Sequence, residues 1–147
     1  MTGAAVRVDL FNDPRLAGRL DRLAQLDVEQ LLDGIGAEVE SQTRRRIQVD
    51  KASPANEPWS DWSAEYATTR HSGQSLLQGE GHLANSITYN VDGNAVLVGS
   101  PLIYAATHQF GDADRGIDQR EFLGLEGQDY DDVVGLIEDY LEDLAND

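Results

Sequence analysis

From residue 28 to residue 39 the apolar side chains recur every three or four positions. Val28, Leu31, Leu32, Ile35 and Val39 fall within a stripe about 100° wide at 100° per residue. The spacing predicts one face of a long amphipathic helix. Asp27 stands at its capping position with Gln30 three residues on, the arrangement of a capping box, and the pattern weakens by Arg44. A shorter helix is predicted before it, opened by Asp13 and Pro14 and carrying Leu16, Leu20 and Leu23 on one side. From Ser86 to Gly99 the period changes to two. "SITYNV" and "NAVLVG" flank Asp92-Gly93, a β-hairpin signal suited to a type I′ turn with both central residues at positive φ, and Ile87, Tyr89 and Val91 share one face.

Ser100-Pro101 opens a further short helix over residues 101–110, and Gly111 can supply a left-handed stop. On a helical wheel Leu102, Ile103, Ala106 and Phe110 form its apolar stripe, with Tyr104 and His108 together on the opposite side. "REFLGL", residues 120–125, reads as a short strand. From about Asp129 a last helix places Tyr130, Val133, Val134, Ile137, Tyr140, Leu141 and Leu144 on one face, with Asp131, Asp132, Glu138, Asp139, Glu142 and Asp143 opposite. The elements add up to an α+β fold: long N-terminal helices, a small, mainly antiparallel sheet with a hairpin at about 86–99, and a C-terminal amphipathic helix. Residues 50–60, with "ASPANEPW", read as an irregular crossing that ends on Trp59, with Trp62 just beyond. Each tryptophan is either an anchor packing this loop on the core or an exposed interface residue.

Composition narrows the functional classes. The 147 residues contain no cysteine and are 40% apolar, which predicts one domain over 1–147 with an ordinary core and excludes thiolate zinc sites and cysteine nucleophiles. The opening residues lack a signal-peptide apolar region, and no stretch approaches the roughly 18 apolar residues of a membrane span. A soluble protein is expected. The formal charge is −16, and residues 111–147 carry 13 acids against two arginines. Such a surface disfavours tight nucleic-acid binding but suits a wall past which DNA must slide. The one basic cluster, Arg44, Arg45 and Arg46, reads as a solvated helix end complementing the dipole or as a docking patch for an acidic partner.

Motifs for chemistry are weak. "GEGHLA", residues 79–84, matches G-x-G-x-x-A, yet a strand-like run follows it and no buried strand precedes it, so the dinucleotide geometry is not expected. The segment from Asp112 has its glycine one position early for a calcium loop, and Leu123 stands where a bidentate glutamate is required. His71, His82 and His108 are too scattered for a helical zinc pair, and there is no G-x-S-x-G elbow. No catalytic, cofactor-binding or metal-binding residues are expected.

The order of four pieces is more specific than any one of them. "SPANEPW", "LLQGEGHLANSI", "YAATHQFG" and "REFLGL", followed by an amphipathic helix, resemble the phage virion morphogenesis family, the tail completion proteins of Mu-like and related tailed phages, from about Leu31 to Leu141. His82 and Asn56 stand where members often carry arginine and glycine, and "DQREF" lacks the usual prolines. The resemblance implies a non-enzymatic structural protein of the tail end or head–tail neck, in the virion and, during assembly, the host cytoplasm. It further implies a homo-oligomeric ring, six-fold by analogy, that meets other neck, tail or connector proteins and lets DNA through without specific binding. The interface candidates are then Trp59, Trp62, Tyr104, His108, Gln109 and Arg120, with Arg44, Arg45 and Arg46, and loops 50–62 and 111–119 face neighbouring rings. Two other classes stay open: a small acidic inhibitor or DNA mimic, argued from the carboxylates of the last helix, and a metal-dependent hydrolase using the histidines.

Overall fold

The computed structural model describes residues 3–10, 27–70, 74–78 and 81–145. The helix expected from Asp13 lies outside the described residues. The fold is α+β, as the periodicities predict. Three strands, β1 (Ala4–Asp9), β2 (Thr88–Asp92) and β3 (Ala95–Ser100), form an antiparallel sheet in the order β1-β3-β2. The central strand is the apolar one: Ala95, Val96 and Val98 are fully buried, while β1 pairs with it from Ala4↔Ser100 to Asp9↔Ala95. The edge strand β1 was not foreseen, although Ala4, Val6, Val8 and Leu10 alternate as a half-buried strand should.

The hairpin turn sits one residue later than the Asp92-Gly93 reading. Asp92 pairs with Ala95, so Gly93 and Asn94 are the central residues, and only Gly93 takes positive φ, 62°. That is the requirement of a type II′ turn rather than a type I′.

Helix α1 (Val28–Arg45) contacts both the sheet and the C-terminal helix α5 (Gly127–Ala145). Its stripe behaves as predicted: Leu31, Leu32, Ile35 and Val39 are fully buried, each burial worth about 1.5–3 kcal/mol. Asp27 caps it by accepting from the Gln30 amide at 3.1 Å, whereas its own amide donates to the Tyr140 hydroxyl of α5. Half of the expected box is thus replaced by a tertiary contact. Gly36 lets α1 cross the hairpin closely, for a Cβ there would collide with the Tyr89 ring and Val96. The helix widens into a π turn (Arg46–Asp50) and stops at Lys51, which takes a left-handed φ of 52°.

Among the described residues three short α-helices follow, α2 (Ala64–Ala67), α3 (His82–Ser86) and α4 (Ile103–Phe110), with a 3-10 turn at Ala113–Arg115. The last three residues of "GEGHLA" open the single helical turn of α3, and the strand expected after the motif is β2, starting at Thr88. "REFLGL" is no strand either; residues 118–126 are irregular. Helix α5 begins two residues earlier than expected and buries Val133 and Ile137, and all six named acids of its opposite face are exposed.

A cationic, aromatic cleft as the candidate functional site

Helix α4 is rotated relative to the wheel drawn from its apolar residues. Ala105 is fully buried and Gln109 is 8% exposed, while Ile103 and Phe110 are 79% and 70% exposed. Leu102 and Ala106 still pack against the core, but two of the four stripe residues face outward. The cause is Gln109. Its Oε1 accepts from the Phe122 and Leu123 amides, both at 3.0 Å, and its Nε2 donates to the Leu123 carbonyl at 3.1 Å. This amide therefore supplies the partners that a sheet neighbour would give "REFLGL", and α4 turns to bring it there. Gln109 is a structural clamp within the chain. Gly111 closes the same turn tightly: a Cβ there would stand 2.9 Å from the Gln119 amide nitrogen.

The arginine triad is likewise spent internally. Arg44 donates to the Ala84 and Ile87 carbonyls and pairs with Glu40 at 2.8 Å. Arg45 and Arg46 share Asp129 at 2.7 and 2.6 Å, and Arg46, 1% exposed, also donates to the Phe122 carbonyl. Arg46 is buried, whereas Arg44 and Arg45 stand in the last turn of the helix with Arg45 exposed, as a helix end complementing the dipole should. Burial pushes the Asp129 carboxyl up, but hydrogen bonds from Arg45 and Arg46 outweigh it and hold the group below its ordinary pKa. The bonds to Asp129 and then Asp50 raise Arg45 in turn.

Trp59 is a core anchor: it is buried and its Nε1 donates to the Glu121 carbonyl at 2.9 Å. Arg120 locks the neighbouring loop by donating to the Ser60 and Asp61 carbonyls at 3.0 and 3.1 Å, while its amide donates to the His108 carbonyl at 2.8 Å. These bonds bring three segments together around a cleft of about 620 Å³. Trp62, Tyr66 and Tyr104 supply its aromatic surface. Arg70, Arg115 and Arg120 supply its charge, and Asp118 is the one acid among its described lining residues. His82 and His108 line it too, but among the described residues no three metal-binding side chains cluster.

The cleft walls are held by ring contacts. Trp62 meets Tyr66 edge-on with centroids 6.0 Å apart, Tyr104 meets His108 in the same way at 6.1 Å, and the Arg70 guanidinium lies 4.5 Å over the Tyr66 ring. Burial, and then the nearby Arg120 charge, lower the pKa of His108, whose Nδ1 is buried without a hydrogen-bond partner among the described residues. The imidazole is neutral at pH 7. Of the residues singled out in the sequence, Trp62, Tyr104, His108 and Arg120 meet at this cleft, whereas Trp59, Gln109 and the arginine triad do not line it. Tyr66, Arg70 and Arg115 were missed. Residues 62, 66 and 70 carry an aromatic, an aromatic and an arginine four apart, and that repeat was the available signal.

Comparison with known proteins gives the cleft its setting. Residues 12–142 match the model of the phage virion morphogenesis family. The Mu-like prophage FluMu G protein 2 of Haemophilus influenzae is 31% identical over 144 residues, covering 93% of this chain and 96% of that protein. The putative capsid assembly protein G of Escherichia phage Mu is 28% identical over 123 residues, covering 76% and 79%. No solved structure matches significantly. With a family match over most of its length and a relative aligned nearly end to end, the chain belongs to the phage virion morphogenesis family, whose members serve a structural or assembly role in the phage particle.

Proposed function

We propose that this protein is a structural adaptor of the phage tail end or head–tail neck, a ring that completes tail assembly or joins tail to head. The observation that carries the reading is the cleft. Four of the resemblance's interface candidates, from three separated segments, converge on one accessible surface whose arginines and aromatics are the side chains that dominate protein–protein contacts. The net charge of −16 supports a wall that repels phosphate and leaves DNA free to move.

The test is a phage carrying Tyr104→Ala together with His108→Ala. Both side chains line the cleft and neither fills the core, so purified variant protein should melt within a few degrees of the parent. Lysates should then contain unjoined heads and tails by negative-stain microscopy, with infectious titre reduced at least about tenfold, the effect of roughly 1.4 kcal/mol at an assembly contact. Normal particles and titre from a folded double variant would refute the assignment. An inhibitor or DNA mimic, the other class argued from the exposed acids of α5, would instead leave particle structure intact and capture a basic DNA-binding protein in a salt-sensitive complex.

A further inference from the structure

We propose that the cleft receives the acidic face of helix α5 from a second copy of this chain, so that cleft and helix are the two halves of a head-to-tail contact. This rests on the ring reading above and specifies its contact. Three features point to the occupant.

The first is unspent positive charge. In a chain with 27 acidic residues, Arg70 lies on the Tyr66 ring and Arg120 on two carbonyls, and among the described residues neither has a carboxylate partner. Arg115 is the exception, paired with Asp112 at 2.6 Å. The second is unspent negative charge. Asp131, Asp132, Asp139, Glu142 and Asp143 are exposed on α5 within about 120° of one another on the wheel. Asp139, Glu142 and Asp143 also fall in the last two turns, where acids oppose the helix dipole, so the stability of the isolated helix does not account for them. The third is geometry: no α5 residue lines the cleft. The two patches are distinct surfaces, and a contact that joins different surfaces of identical subunits is heterologous and propagates around a ring if its rotation closes. Arginines beside aromatic rings, desolvated by a seated helix, would hold carboxylates by charge-assisted bonds.

The experiment uses full-length chains: the parent, Arg70→Ala in the cleft, and Asp139→Asn with Asp143→Asn on α5. Mass is read by light scattering across a concentration series at 50 mM salt, after thermal melts establish that each variant folds. The expected result is that the parent assembles and each variant alone is monomeric. An equimolar mixture of the variants should stop at the mass of two chains, because it contains one intact cleft and one intact helix face. For the parent alone, which needs no variant to fold, association should weaken at least about tenfold between 50 and 500 mM salt as screening tightens. Assembly by both folded variants as strong as the parent's, or parent assembly indifferent to salt, overturns this contact while leaving a ring in place. A parent that stays monomeric at every concentration also overturns it, since complementary surfaces on one chain must meet; the adaptor reading then stands or falls by the phage carrying the Tyr104 and His108 changes.

Discussion

At the residue scale, the chain spends buried polar side chains where a larger protein would spend sheet. Gln109 alone satisfies two amides and a carbonyl of the segment that crosses beneath α4. Gln109→Ala should therefore cost about 2–4 kcal/mol in urea unfolding, more than its volume warrants, because several buried groups lose their partner together. Asp129 is the counterpart on α5. Replacing it by Asn leaves the buried Arg46 charge short of its counterion, and about 3–5 kcal/mol should be lost. Two acid windows follow from the shifted groups. His108 has a folded pKa below its unfolded value, so the unfolded chain takes up the proton first and stability falls as pH drops below about 6.5. Asp129, also lowered, contributes stability that is complete above about pH 4 and is lost as pH falls through its folded value. Urea midpoints measured from pH 8 to pH 3 should decline in two stages, the first absent in His108→Gln and the second reduced in Asp129→Asn.

At the element scale, legibility followed from how much of an element's environment lies in its own residues. Helix α1 and helix α5 declare themselves by three- and four-residue spacing because each buries one continuous apolar face. The hairpin was legible for the same reason at period two, and only its turn slipped by a residue. Helix α4 was misjudged in orientation: a wheel ranks Ile103 and Phe110 above Gln109, and it cannot weigh the backbone groups of residues 122 and 123 that wait for an amide. The strand expected at 120–125 failed through the same contact, since Phe122 and Leu123 are buried but their amides bond to a side chain. Nor could spacing foresee that Arg46 would meet Asp129, 83 positions away. Helix α1 packs tightly on the hairpin at Gly36, and Gly36→Val should destabilise by more than about 2 kcal/mol, because the Tyr89 ring and the hairpin would have to move. By contrast, Ile103→Ser with Phe110→Ser should change the melting temperature little, both side chains lying in solvent.

At the scale of the whole molecule, charge is sorted rather than balanced. The exposed acids of α5 occupy one surface, and the cleft gathers three of the 11 basic residues on another. Of the residues the resemblance singles out, Trp59, Gln109 and Arg46 are bonded within the fold, and Trp62, Tyr104, His108 and Arg120 line the cleft.

The Gln109 clamp has one more consequence, for amide hydrogen exchange. Residues 122 and 123 belong to no helix or sheet ladder, and irregular backbone ordinarily trades its amide protons with solvent quickly. Here both amides are buried and bonded to a side chain whose helix must open before they can be released. In deuterated buffer this short stretch of coil should keep its protons as long as the central strand does, and lose them within the dead time once Gln109 is shortened.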